Sequence, residues 1–300
     1  MADRKKTISR PRVMAGASQA AALARRALAL RAIPEAMRFG QRTAPFLSMV
    51  RAPRDAVGLA ALGDVVSVAT YNVHRWMGIS GRRRPDPLHA HLVISELDAD
   101  VIALQEVLRP AHTRDPLEAL CDDLGLHVAF AVTRVHKRGQ LGNAILSRLP
   151  ITAASVLDIS HSRIERRGAL GARFSDGMGR SLGVVATHLS LVDRTRERQV
   201  KSLLSHPQFE SGPSVLLGDM NAWRRSKAIQ TLDAELSAHK NSDWPASYPS
   251  ARPVLALDRV YVRGAKVLEV HAHDTAAARR ASDHLPVIAH IEIPHAAPRS

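Results

Sequence analysis

The chain has 300 residues and 45% apolar content, enough for one large domain with an appendage, or for two small ones, each able to bury a core. A single cysteine, Cys121, excludes an internal disulfide and fits a reducing compartment, and no apolar run reaches the length of a membrane span. The formal charge of +14 favours anionic partners such as nucleic acid, phosphorylated metabolites or lipid headgroups.

That charge is unevenly spread. Residues 1–65 carry twelve Lys/Arg against four acids, a surplus of eight, so the basic balance describes the start of the chain more than the remainder. Residues 1–64 are read as a basic, Ala/Arg-rich N-terminal extension, helical or partly disordered. Within it, residues 19–33 have good helix formers, with Ser18 as a cap and Pro34 as a stop. The extension suits contact with an anionic membrane or nucleic acid. An organellar transit peptide is the alternative, while a secretory signal lacks its apolar core.

From Val65 the texture changes. Residues 65–72 read as a strand ending on Asn72. Asp86 caps a helix through Leu97, and residues 100–106 form a buried strand ending on Glu106. Residues 116–124 read as a short helix stopped by Gly125. Strand-like runs follow at 127–132, 143–147, 151–157, 169–174 and 183–188, the last ending on His188. Residues 193–205 form a polar helix. Next, Val215, Leu216 and Leu217 make a short strand that Gly218 is expected to end, with Asp219 and Asn221 just beyond. Residues 223–236 read as helical, and 257–262 and 286–293 are the closing strands. Strands and helices do not alternate strictly, which argues for packed mixed sheets flanked by helices. Residues 65–295 thus form the folded domain.

Polar residues recur at corresponding places. Asn72, Glu106, His188, Asp219 with Asn221, and Ser282-Asp-His284 each lie at or beside the end of an apolar strand. A buried carboxylate or amide is costly unless something uses it. Asp219 and Asn221, at i and i+2 of an extended chain, serve either an Asx turn or the activation of a water beside a divalent metal. Hard oxygen donors without a cysteine cluster suit Mg²⁺ or Mn²⁺, and Glu106 and Asp283 are the natural carboxylate pair.

Tyr71-Asn72, Leu104-Gln-Glu106, Thr187-His188, Gly218-Asp-Met-Asn221, Leu257-Asp258-Arg-Val-Tyr261 and Ser282-Asp-His284 occur in this order over residues 65–293. The ordered set resembles the endonuclease/exonuclease/phosphatase superfamily, in particular its deoxyribonuclease and sphingomyelinase branches. The resemblance implies an α/β (α+β) four-layered sandwich with two central mixed β-sheets flanked by helices, and metal-dependent cleavage of a phosphoester. It implies Glu106, Asn72 and Asp283 as metal ligands and Asp219 as the base that orients the attacking water, with Asn221 steadying it. His284 would contact the phosphate or transfer a proton, oriented by Asp258, and His188 resembles a second catalytic histidine. A histidine at 188 argues against the apurinic-endonuclease branch.

Asn143 and Arg167 are candidate phosphate contacts, although a turn or a supporting hydrogen bond explains Asn143, and an exposed arginine Arg167, at least as well. Arg82 to Arg84 serve either as a solvated loop or to steer an anionic substrate. The loop of residues 244–249 is either a packed turn or part of the site. The expectation is a bacterial, cytoplasmic, monomeric phosphodiesterase, possible at a membrane periphery through its extension. Its substrate is a phospholipid, a nucleic acid or a small phosphodiester. A DNA/RNA endonuclease is the alternative, and an inactive phosphate-binding scaffold is the rival of another class. Few aromatic residues are present, so no base-stacking platform is evident.

Overall fold

The computed structural model describes residues 44–54, 61–79, 81, 85–161, 165–176, 179–237 and 244–294. The helix expected at 19–33 and the Arg82–Arg84 run lie outside them.

Two mixed sheets stack face to face. The first has the spatial order β1 (Phe46–Arg51), β4 (His127–His136), β5 (Gly139–Ser147), β3 (Val101–Pro110), β2 (Val65–Asn72), β12 (Val287–Glu292) and β11 (Lys266–Ala272). The second runs β10 (Asp258–Arg263), β9 (Ser214–Asp219), β8 (Ser181–His188), β7 (Gly168–Ser175) and β6 (Ala153–Asp158). Among the described residues, only β2/β3 and β8/β9 pair in parallel.

The central strands are near-continuous apolar runs because both of their faces are covered. Side chains alternate between faces. Val66 and Val68 of β2, Val101 and Ala103 of β3, Val184 and Ala186 of β8, Val215 and Leu217 of β9, and Val260 and Val262 of β10 share one core between the sheets. Their neighbours Ala69, Tyr71, Ile102 and Leu104 face the opposite way, onto α1 (Pro87–Leu97), α2 (Pro116–Asp123) and α5 (Ala278–Ala281). On the far side, Val185, Leu216 and Tyr261 pack against α3 (Asp193–Leu203) and α4 (Lys227–Glu235). The result is a four-layered α/β sandwich. The helix starts follow local chemistry: the carboxylates of Asp86 and Asp115 accept from the amides of Leu88 and Leu117, with Pro87 and Pro116 as first residues.

Several elements differ from expectation. β1 lies inside the stretch read as extension, yet it pairs with β4 and buries Met49 in the helix-facing core. It is a half-buried edge strand between Pro45 and Pro53, and edge strands carry a weaker apolar pattern than central ones. A truncation at residue 64 would remove it. β11, on the other edge, escaped for the same reason: its pattern is mostly exposed or half-buried. α4 starts at Lys227, not at 223, because the extended Ser226 is its N-cap. Both β3 and β9 run further than their apolar residues suggest, with consequences for the site.

On the outer face of the second sheet, the imidazole of His206 is buried over Gly171, where a Cβ would lie 2.2 Å from its Cε1. Burial holds this histidine neutral and pulls its pKa down to about 4. The unfolded chain takes up that proton near pH 6.5 and the folded one does not, so stability falls as pH drops from 6.5 to 4. The loss from this group should approach about 3 kcal/mol at pH 4. Urea unfolding at pH 7 and pH 4.5 checks it: His206→Asn should show a shallower pH dependence than the wild type, and equal slopes would exclude His206 as the cause.

Candidate active site

The inward-facing rows of the strands change from apolar to polar at one end of the inter-sheet core. Asn72 continues the row of Val66, Val68 and Thr70. His188 continues that of Val184 and Ala186, Asp219 that of Val215 and Leu217, and Asp258 begins that of Val260 and Val262. Register then sets these residues side by side. His188 of β8 pairs with Asp219 of β9, and Asp219 pairs with Asp258 of β10.

β9 passes through Gly218 and does not end there. Gly218 lies between two strands at φ 150°, and a Cβ would sit 2.0 Å from the carbonyl oxygen of Thr187. Only glycine lets the ladder continue, so Gly218 delivers Asp219 to the strand end. The chain then turns at Asn221, with φ 49°, whose amide donates to Asp219 Oδ1 at 2.9 Å. The Asn221 side chain donates to the Leu189 carbonyl at 2.9 Å, which ties the β8 and β9 exits together.

Glu106 reaches the site by a different device. It shares parity with Ile102 and Leu104, so strict alternation would aim it into the helix-facing core. A bulge between Leu104 and Val107, with Glu106 at φ 53°, turns it toward the cleft, and β3 then continues to Pro110.

Asp219 is the centre of the arrangement. Asn72 Nδ2 donates to its Oδ2 at 3.2 Å, while His188 Nε2 and His284 Nε2 lie 3.5 Å and 3.7 Å from the same oxygen. Burial raises the Asp219 pKa, aided by the Asp258 charge and opposed by that of His284. His284 has the opposite balance. Burial lowers its pKa, but Asp258, Asp219 and Asp283 outweigh it and hold the ring protonated. His188 has no such carboxylate surplus; burial, Arg167 and His284 keep it neutral.

Asp258 Oδ2 accepts from His284 Nδ1 at 2.8 Å and from Ser247 Oγ at 2.6 Å. The ring of Tyr248 lies 4.9 Å from that of His284. The loop at 244–249 is therefore part of the site. Ser247 and Tyr248 were not singled out by sequence, because a serine and a tyrosine in a loop carry no spacing signal. Ser282 anchors its segment by donating to the Asn72 carbonyl at 2.6 Å.

A cleft of about 440 Å³ opens above these groups, lined among others by Asn72, Glu106, Arg167, His188, Asp219, Asn221, Asp283 and His284. Arg167 reaches it, but its guanidinium is held by Glu165 Oε1 at 2.6 Å. Asn143 does not line the cleft. It lines a side pocket of about 20 Å³ that shares Glu106, Arg167 and His188 with the cleft. There its Nδ2 donates to the Gly168 carbonyl at 3.2 Å and so bridges the two sheets.

Among the described residues, two donor sets could hold a cation. Asp219, Asp258 and His284 have atoms within 4.8 Å of one another. Within that set, Asp258 Oδ2 and His284 Nδ1 already bond to each other, which describes an oriented imidazole better than a ligand cage. Glu106 and Asp283, both partly exposed, line the same cleft as Asn72, whose Oδ1 accepts from the His74 N–H at 3.0 Å, and hard oxygens of this kind suit a divalent cation. Arg75 Nε lies 3.1 Å from Glu106, and the His74 ring lies 3.3 Å from Asp283.

Comparison with known proteins bears on this site. The chain is 30% identical over 245 residues to the uncharacterised protein YbhP of Escherichia coli K12, spanning 75% of this chain and 96% of that one. Its fold matches an endonuclease/exonuclease/phosphatase structure from Beutenbergia cavernae with a TM-score of 0.60, at 22% identity, over 76% of this chain and 72% of that one. The human Nocturnin catalytic domain, solved with a sulfate anion, matches with a TM-score of 0.62, at 19% identity, over 81% of this chain and all of that one. A family model matches residues 69–284, the span that runs from β2 through every site residue to His284. The chain therefore belongs to the endonuclease/exonuclease/phosphatase family.

Proposed function

We propose that this protein is a divalent-metal-dependent phosphodiesterase in which water activated by Asp219 attacks phosphorus in line with the leaving oxygen. The observation that carries the reading is a buried carboxylate of raised pKa, held between an amide and two imidazoles at the base of an open cleft.

Each group has a task set by its surroundings. Asn72 and the Asn221 amide fix the Asp219 carboxylate, so its basic oxygen meets a water in one orientation. Asp258, itself held by the Ser247 hydroxyl, accepts from His284 Nδ1, leaving Nε2–H free for a phosphoryl oxygen or the leaving oxygen. His284 is charged and supplies the proton; His188 is neutral and serves as a hydrogen-bond donor. Arg167, steadied by Glu165, adds a fixed positive charge beside the cleft. A divalent ion held by Glu106, Asp283 and Asn72 would supply Lewis-acid charge to the non-bridging oxygens. Placement and charge neutralisation of this kind are the main requirements of phosphoryl transfer.

The test is a substrate panel with Mg²⁺, with Mn²⁺ and with EDTA: bis-p-nitrophenyl phosphate, plasmid DNA, RNA, sphingomyelin and phosphatidylglycerol vesicles. Metal-dependent cleavage of the small diester is expected. Plasmid nicking in preference to every other substrate would move the protein to the endonuclease reading. No cleavage of any member by folded, metal-supplemented protein would favour the scaffold.

A further inference from the structure

The cleft has an apolar rim. β8, β9 and β10 are neighbours, and their paired ends at His188, Asp219 and Asp258 bring three loops to one edge of the sheet. Each loop carries large apolar side chains into solvent: Leu191 at 59% and Val192 at 58% exposure after β8, Trp223 at 50% after β9, and Val254 at 66% before β10. Leu191 and Trp223 line the cleft, as does Leu255 beside Val254, so the patch borders the opening. Single exposed apolar residues are ordinary, but a set on three adjacent loops around a catalytic opening marks a contact surface.

The charge around this rim is one-sided. Residues 189–194, 221–227 and 251–257 contain Arg194, Arg224, Arg225, Lys227 and Arg252 against one acid, Asp193. Asp193 is itself paired with Arg196 and Arg224. Exposed arginines interleaved with aliphatic side chains and a tryptophan suit an anionic bilayer surface. The aliphatic groups enter the acyl boundary, the indole sits at the headgroup level, and the cations meet lipid phosphates. Nucleic acid fits less well. Leu191, Val192 and Val254 offer no ring for a base to stack on, and Trp223 is the one exposed aromatic among the rim residues.

We propose that these three loops dock on an anionic lipid bilayer, and that the phosphoester admitted to the cleft belongs to a lipid headgroup. The second half rests on the phosphodiesterase reading; the docking does not.

Brominated-lipid quenching separates the two. Trp76 is buried and Trp244 packs 5.2 Å from Tyr261, so Trp223 is the tryptophan placed to meet the bilayer, at the boundary where acyl-chain bromines quench it. Full-length protein titrated with phosphatidylglycerol vesicles brominated on the acyl chains should lose Trp223 fluorescence, and the Trp223→Phe variant should show no such loss. The double variant Val192→Glu/Val254→Glu should need at least about 10-fold more lipid for half-quenching. Both of its sites lie outside the cleft lining, so its turnover of bis-p-nitrophenyl phosphate and its melting temperature should stay close to wild type. The proposal is overturned by absent quenching, by equal quenching with pure phosphatidylcholine vesicles, or by a double variant that titrates like wild type. Loss of DNA binding in the double variant, with vesicles never quenching, would assign the rim to nucleic acid instead. Quenching without turnover of any phosphoester would leave docking intact and defeat the enzymatic reading alone.

Discussion

Asp219→Asn is expected to reduce turnover of any accepted phosphodiester by about 10³-fold or more, within the range seen when a positioned general base is lost. The substitution keeps the shape and the hydrogen bond from the Asn221 amide, but removes the basic oxygen. The fold should not suffer. Burial already disfavours the Asp219 charge, so a neutral amide removes a desolvation cost, which offsets the hydrogen bond from Asn72 Nδ2 that the new NH2 cannot accept while its oxygen stays on the Asn221 N–H. The melting temperature should therefore be unchanged or raised. Rates with bis-p-nitrophenyl phosphate, measured beside thermal melts, check both halves. Near-wild-type turnover by a well-folded variant would remove Asp219 from the role of base.

Glu106→Gln is expected to act through the cation. Glutamine keeps the volume and can still meet Arg75, but it loses the charge that a hard divalent ion requires. Loss of groups that merely orient metal ligands costs about 10–100-fold in affinity, so loss of a ligand should cost at least as much. The metal concentration for half-maximal rate should rise by that factor, with activity partly restored at high Mn²⁺. Calorimetric titration of Mn²⁺ reports the same change without turnover. An unaltered titration would show that Glu106 holds no metal and that the bulge presenting it serves another purpose. The Arg75–Glu106 pair sharpens this test, because an ion must compete with that guanidinium for the carboxylate.

The inward rows explain how much of this was legible. Val66-Ser-Val68 and Val215-Leu-Leu217 announce strands by composition, and each run stops at a polar residue of the same facing. The ordered motifs from Tyr71 to His284 carried the family, which the match over residues 69–284 supports. Elsewhere the pattern was misleading or silent. Gly218 looks like a terminator, because glycine usually weakens a strand; here it is the residue that lets β9 pass beside the Thr187 carbonyl. Glu106 has the wrong parity for the cleft, and only the bulge corrects it. At Asn143 the sequence leaves a phosphate contact, a turn and a supporting hydrogen bond open, and the fold shows its Nδ2 donating to Gly168 across the sheets.

By itself, the amino-acid sequence determined which residue types stand at the strand ends and in what order, because periodicity, capping and motif spacing are local properties of the chain. The tertiary structure alone decided which ends meet. Residues as distant as Asn72 and Asp219 come within hydrogen-bond reach only when two sheets stack in one register. It also decided which charges survive burial. His188 and His284 are the same side chain in the sequence, but one imidazole lies between Asp219 and Asp258 and stays protonated, while the other is desolvated near Arg167 and stays neutral. That difference depends on the distance to other charges and the exclusion of water, and neither exists until the chain has folded.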